Sequence, residues 1–177
     1  MIGQHKIIFS GPVGAGKTTA IGAISDIKPI ATEQAATDNV REKKEFTTVA
    51  MDYGKMTLDN NETIHLYGTP GQERFKFMWS LLCEGAIGLI ILLDHNDPDP
   101  LGDLHGFLES FSGFIKETAV VVGVNRLVNA SVQDLDSYNK KVREFELTAA
   151  VFEVDAREHD DVMMLVQSLL FSLDPGL

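Results

Sequence analysis

The sequence predicts an α/β fold: a doubly wound, six-stranded, mostly parallel sheet with one antiparallel edge strand and five helices, in a single domain over residues 1–177. Three observations carry this expectation. Short β-rich apolar runs alternate along the chain with helix-length segments. Two of those runs, Ile87-Gly88-Leu89-Ile90-Ile91-Leu92-Leu93 and Ala119-Val120-Val121-Val122-Gly123-Val124, are apolar on both faces, as central parallel strands covered by helices must be. A first run, Lys6-Ile7-Ile8-Phe9-Ser10, leads straight into a glycine-rich turn and then a helix-compatible stretch.

Strands are expected at 5–10, 46–58, 62–68, 86–93, 119–124 and 150–154, and helices at 16–25, 74–84, 101–117, 131–146 and 158–172. The first of these helices contains the helix-compatible stretch Thr19-Ala20-Ile21-Gly22-Ala23-Ile24. The segment 26–45 is polar and without period, and long irregular segments in compact domains are more often functional or mobile than structural. Asp59-Asn60-Asn61-Glu62 is a turn signal that joins two strands as a hairpin, which makes one edge strand antiparallel. Phe75, Phe77, Met78 and Trp79 give the second helix an apolar face for the core or for a partner. Ahead of the third helix, Asp94-His95-Asn96-Asp97-Pro98-Asp99-Pro100 reads as a solvated loop that caps it. Ser131 and Asp134 suit the start of the fourth helix. In the last helix Val162, Leu165, Val166, Leu169 and Leu170 form one core-facing stripe. In a sheet wound this way ligands bind at the carboxyl ends of the strands.

Composition narrows the partners. The chain has 177 residues, 44% of them hydrophobic and 23% charged, enough for one domain with a sizeable core. Its net charge of −11 disfavours nucleic acid and anionic lipid, whose binding needs Lys and Arg. Cys83 is the single cysteine, so no internal disulfide forms, and its place in Leu81-Leu82-Cys83 suits a buried packing thiol. The first residues lack a signal-peptide pattern, Gly3 is one position late for myristoylation, and no apolar run nears the about 20 residues that span a bilayer. The expectation is a cytoplasmic protein with no integral membrane segment. His5, His65, His95, His105 and His159 are dispersed, without metal-ligand spacing.

The glycine turn carries the chemistry. Gly11-Pro12-Val13-Gly14-Ala15-Gly16-Lys17-Thr18 spells G-x-x-x-x-G-K-T between strand and helix. Backbone N–H groups of Gly11, Val13, Gly14, Ala15, Gly16, Lys17, Thr18 and Thr19 would cradle phosphates at the positive end of a helix dipole. Lys17 would reach the β- and γ-phosphates, and the Thr18 hydroxyl would ligate Mg2+. A chance glycine turn does not explain strand, spacing, Lys and Thr together.

Three further stretches resemble Ras-like small GTPases. Thr69-Pro70-Gly71-Gln72-Glu73-Arg74-Phe75 is similar to T-A-G-Q-E-R-F, and Thr48-Val49-Ala50-Met51-Asp52-Tyr53 to T-I-G-V-D-F. Glu153-Val154-Asp155-Ala156-Arg157 stands where that family has its S-A-K loop. Pro70, together with Gly68, is more narrowly similar to the bacterial MglA-like branch, which works with roadblock-domain proteins. The resemblance spans roughly residues 5 to 172 and implies a single P-loop G domain that binds GTP and GDP with Mg2+. It implies an enzyme, a GTPase that is slow without a partner, and protein regulators and effectors. Gly71 would let backbone approach the γ-phosphate, Gln72 and Lys17 would be catalytic, and Thr48 would add a second hydroxyl to the metal.

Two departures qualify the resemblance. Gly68 stands where the family has a metal-side aspartate; Asp52, on the neighbouring antiparallel strand, can send a carboxylate to the same place or can be a plain edge residue. Gly123-Val124-Asn125-Arg126-Leu127-Val128 stands where the family has N-K-x-D. Asn125 matches, Arg126 can lie over the base, and the Ala156 N–H can favour guanine, but Val128 replaces the base-binding aspartate. Losing such a charge-assisted pair costs on the order of 2–4 kcal/mol and leaves the base in question. Arg41 and Arg74 are the arginines in or beside the two switch-like loops, and neither is assigned as an arginine finger. The main alternative is a degenerate nucleotide-binding module with little hydrolysis or with ATP accepted. A small-molecule kinase fits poorly, because the middle of the chain offers no arginine-rich lid.

Overall fold

The computed structural model describes residues 4–31, 51–72, 76–127 and 132–173. Among these, seven strands and six helices follow one another: β1 (Gln4–Ser10), α1 (Lys17–Ile24), β2 (Ile30–Ala31), β3 (Asp52–Thr57), β4 (Thr63–Gly68), α2 (Lys76–Cys83), β5 (Gly88–Asp94), α3 (Pro100–Ser110), α4 (Ser112–Ile115), β6 (Ala119–Asn125), α5 (Val132–Glu144), β7 (Ala150–Val154) and α6 (His159–Leu173). The sheet order is β2-β3-β4-β1-β5-β6-β7. β4, β1, β5, β6 and β7 run parallel, and β3 is antiparallel to both its neighbours. The expected α/β architecture and its antiparallel strand are therefore present.

Three details differ from expectation. The two-residue β2 pairs Ile30 with Tyr53 and Ala31 with Asp52, so the antiparallel strand is next to the edge, not at it. Two residues after Pro29 are too few to show a period, which is why six strands were expected. The helix expected over 101–117 is two pieces, so there are six helices where five were expected. The break falls at Phe111, between the weak helix formers Ser110 and Ser112-Gly113. There the ring of Phe111 is buried and stacks on Trp79 at 5.0 Å. The strand expected from 46 begins at Asp52, and residues 46–50 lie outside the described ones.

Alternation along the strands feeds two cores. On one face Ile8, Leu89, Ile91, Leu93, Val122 and Val124 pack against α2, α3, α4 and α5. On the other, Ile7, Phe9, Ile90, Leu92 and Val121 pack against α1 and α6, with Val162, Leu165, Val166 and Leu169 forming the expected stripe. Cys83 lies in the first core, and burial pushes its thiol up to about 11, in keeping with a packing role. The hairpin turn is closed as its residues predict: Asn60 Oδ1 accepts from the Glu62 N–H at 3.0 Å, and Asn61 takes φ 63°.

Two positions of α6, one in the stripe and one outside it, make a stability test. Leu165 is fully buried, whereas Phe171 is 59% exposed. Leu165→Ala is expected to lower the unfolding free energy by about 2–5 kcal/mol. Phe171→Ala is expected to change it by at most about 0.5 kcal/mol. Urea midpoints of the two variants against wild type measure both.

Candidate functional site

Because five strands run parallel, their carboxyl ends gather on one edge of the sheet: Ser10, Gly68, Asp94, Asn125 and Val154. The loops that leave these ends bring together most of the residues singled out from the sequence. α1 begins at Lys17 after Gly16, whose φ is 101°, and it has neither a side-chain cap nor an acidic residue in its first turn. Its first N–H groups are thus left to the loop and to whatever anion the loop holds. Gly16 is sterically required as well: a Cβ there would lie 2.8 Å from Asn125 Nδ2 and 3.0 Å from Ala156 Cβ.

Lys17 is buried, and its ammonium donates to the carbonyls of Gly11 at 2.8 Å and Pro12 at 2.7 Å. Desolvation lowers its pKa to about 8, and the Asp52 carboxylate works against that shift. A buried ammonium held by neutral carbonyls, with the Asp52 carboxylate only partly offsetting its desolvation, is suited to take a phosphate as counter-charge.

Thr18 Oγ1 donates to Asp52 Oδ2 at 2.5 Å. Asp52 pairs with Gly68 across β3 and β4, and a Cβ on Gly68 would come within 3.0 Å of Asp52 Cβ and 3.1 Å of its Oδ2. The two strands therefore leave room for one carboxylate at this point, and it comes from β3. Hydroxyl and carboxylate oxygens in contact beside a phosphate loop are hard donors of the kind Mg2+ takes when it keeps several waters. No group of three or more His, Cys, Asp or Glu side chains able to hold a metal occurs among the described residues.

The Gly71 backbone lies against the phosphate loop; a Cβ there would sit 2.6 Å from Val13 N and 2.7 Å from Pro12 C. Two side-chain hydrogen bonds help to hold the approach to it, beside the backbone bond from Thr69 N to the Phe9 carbonyl. Ser10 and Thr69 share one between hydroxyls at 2.8 Å, and Trp79 Nε1 donates to the Pro70 carbonyl at 3.2 Å. Trp79 is thus core on one side, stacked on Phe107 and Phe111, and a tether for this loop on the other, while Phe77 stays exposed. Gln72 follows, exposed. Thr48, Val128, Arg41 and Arg74 lie outside the described residues.

On the other side of the loop is a cavity of about 700 Å³ lined by Gly16, Thr19, Asn125, Asp155, Ala156 and Arg157, among others. Asn125 is buried, and its amide joins three loops. Its Nδ2 donates to the Ala15 carbonyl at 3.2 Å, and its Oδ1 accepts from Arg126 N at 3.0 Å and Ala156 N at 3.4 Å. Arg126, at φ 60°, sends Nη1 to the Gly14 carbonyl at 3.3 Å and pairs with Asp94.

That pair corrects one expectation. Asp99 does cap α3, accepting from Gly102 N at 2.9 Å, but Asp94 is not a solvated loop residue. It is buried at the end of β5, in register with Asn125, and neutralised by Arg126. The signal was present as an acidic residue closing a wholly apolar strand. Asp155 was also missed. Its carboxylate accepts from Arg157 N and Nε at 2.9 Å and from Arg157 Nη2 at 2.6 Å, and its own N–H donates to Asp161 Oδ2 at 2.8 Å. The histidines are engaged separately: His65 with Tyr53, His95 with Tyr138, and His105 edge-on to Phe145.

Residues 9–173, nearly the whole chain, match the model of a family described as conserved hypothetical ATP binding protein. The chain belongs to this family. It is also similar to the Ras-related protein RabC of Dictyostelium discoideum, 23% identical over 176 residues, 96% of this chain and 84% of that one. GTP-binding protein ypt1 of Schizosaccharomyces pombe is 28% identical over 145 residues, 80% of this chain and 62% of that one. An uncharacterized protein of Methanocaldococcus jannaschii, MJ1339, is 36% identical over 92 residues, 51% of each chain. This member of the ATP-binding-protein family thus shares its sequence, at low identity, with Ras-related proteins along most of its length. No helix among the described residues is long and apolar enough to cross a membrane.

The Asp155–Arg157 pair gives a pH prediction. Hydrogen bonds from the Arg157 side chain and backbone hold the Asp155 pKa down, from 3.8 to about 2. A carboxylate depressed in the folded chain contributes stability above its unfolded pKa, and that contribution is lost as pH falls towards 2. Arg157→Ala, which removes the side-chain hydrogen bonds and keeps the backbone one, is expected to raise the Asp155 pKa towards 3.8, read from its carboxyl carbon in an NMR titration.

Proposed function

We propose that the protein is a molecular switch that binds GTP and GDP and hydrolyses GTP in a Mg2+-dependent reaction. The observation that carries the reading is the Thr18–Asp52 contact beside the buried Lys17, opposite a Gly68 that has no room for a carboxylate of its own. The Ras-related relatives support it, as does the loop resemblance. Lys17 would exchange the Gly11 and Pro12 carbonyls for the β- and γ-phosphates. Thr18 and Asp52 would hold Mg2+ with its waters, and Thr48 would join them when the loop bearing it closes. When bound, the metal would neutralise charge growing on the β–γ bridging oxygen. Gln72, exposed beside Gly71, would orient the water that attacks the γ-phosphorus; that bond forms as the bond to the bridging oxygen breaks, releasing phosphate and GDP. The Gly71 N–H, already against the phosphate loop, would report whether the γ-phosphate is present.

Turnover without a partner would be slow, because among the described residues the arginines beside the loop are engaged elsewhere, Arg126 by Asp94 and Gly14 and Arg157 by Asp155. Gly68, Asp52 and Pro70 together argue for a protein of the MglA-like kind, acting in the cytoplasm with a roadblock-domain regulator and with effectors that read its switch loops. A second reading, a nucleotide-binding module with little hydrolysis or with ATP accepted, is favoured by Val128 and by the family's description.

Phosphate release from GTP in Mg2+ buffer separates the two. Gln72→Leu is expected to lower the rate about 10-fold or more without loss of GTP binding. Asp52→Ala is expected to raise the Mg2+ concentration for half-maximal rate about 10- to 100-fold. Equal, near-zero rates in wild type and Gln72→Leu would sink the hydrolytic reading and leave the module.

A further inference from the structure

We propose that Asp155 reads the base, supplying from β7's loop the carboxylate that Val128 cannot, and so makes the site selective for guanine over adenine. This rests on the nucleotide reading above and adds to it the identity of the base.

The cavity of about 700 Å³ beside the phosphate loop is lined by the consecutive residues Asp155 and Ala156, which carry a carboxylate and a backbone N–H. The N–H is only weakly engaged, 3.4 Å from Asn125 Oδ1, so it can turn its donation to a ligand at small cost. One donor next to one acceptor selects between the purines. Guanine carries an acceptor, O6, next to the N1–H and N2–H2 donors. Adenine carries the N6–H2 donor next to the N1 acceptor, the reverse pattern. Against Ala156 and Asp155, guanine pairs at every atom, while adenine sets donor against donor and a lone pair against a carboxylate.

The carboxylate is positioned for this. Its backbone N–H is tied to Asp161 at 2.8 Å, and its side chain is turned by Arg157 N at 2.9 Å, which fixes the rotamer. The Arg157 guanidinium that grips the carboxylate is itself 78% exposed, so giving up part of that grip returns it to water. A carboxylate has about four acceptor positions, so the backbone donor and a base edge can be served together. Asp155 is also ionised at any physiological pH, its pKa held down to about 2 by Arg157. The same reassignment has a parallel across the loop, where Asp52 stands in the space that Gly68 leaves.

Calorimetric titration of the full chain in Mg2+ buffer with GDP, ADP, inosine diphosphate (no 2-amino group) and xanthosine diphosphate (a 2-oxo group) tests the assignment. Wild type is expected to bind GDP about 10-fold tighter than inosine diphosphate and tighter still than ADP. Asp155→Asn, which turns one acceptor into a donor, is expected to weaken GDP about 10- to 150-fold and to strengthen xanthosine diphosphate. The gain for xanthosine diphosphate excludes simple misfolding, and the wild-type ranking needs no substitution. GDP binding with ADP equal to it, or an Asp155→Asn variant that still prefers GDP to xanthosine diphosphate, overturns the base assignment alone. A wild type that binds none of the four overturns the nucleotide reading beneath it.

Discussion

The amide of Asn125 reaches from the end of β6 to the Ala15 carbonyl, the Arg126 N–H and the Ala156 N–H, and so holds the phosphate loop in register with both loops on its base side. Everything at the sheet edge depends on that register. Gly16 must be glycine because a Cβ there would collide with this amide. Arg126 is placed in the left-handed region beside it, where its guanidinium meets Asp94 and Gly14. A buried amide satisfied on both ends is costly to disturb, since moving the Ala15 carbonyl or the Arg126 N–H away leaves its donor or its acceptor without that partner. The parallel sheet supplies the rigidity behind it, with both faces of β5 and β6 wholly buried.

The other half of the site is held differently. Loop 69–72 is anchored by Thr69 to Ser10 and by the Pro70 carbonyl to Trp79, whose ring stacks on Phe107 and Phe111. The interruption between α3 and α4 and the tether of this loop are thus connected through one aromatic stack. On either side of the phosphate loop stands a carboxylate that is not at the metal-side or base-binding aspartate position of the Ras-like pattern: Asp52 opposite Gly68, and Asp155 beside Ala156 on the lining of the cavity. Chemistry of this kind constrains where an oxygen sits in space, not which residue number carries it, so substitutions at motif positions are a poor guide to loss of function.

Much of the site was legible in the chain. G-x-x-x-x-G-K-T between an apolar run and a helix specified a loop whose geometry follows from strand, glycine and helix dipole together. The wholly apolar β5 and β6 announced a doubly covered sheet, and Asp59-Asn60-Asn61-Glu62 its hairpin. Even Asp52 was readable, because antiparallel pairing predicts which residue faces Gly68. By contrast the Phe111 break was masked: a period of 3.6 continues across Ser110-Phe111-Ser112, and the weak helix formers there become a break where Phe111 stacks on the ring of Trp79. β2 was too short to carry any period.

What the sequence determined by itself was local: most of the strand, turn and helix order, the phosphate-loop motif and the type of residue at each motif position. These depend on neighbours a few residues apart, where propensity and periodicity act. Tertiary structure alone decided which distant groups share a site. Asp94 and Arg126, Trp79 and Pro70, and Asp155 beside the Asn125 pocket are brought together by sheet order and loop closure. No periodic signal links such residues, because the contact is made by the packing of strands and not by their sequence.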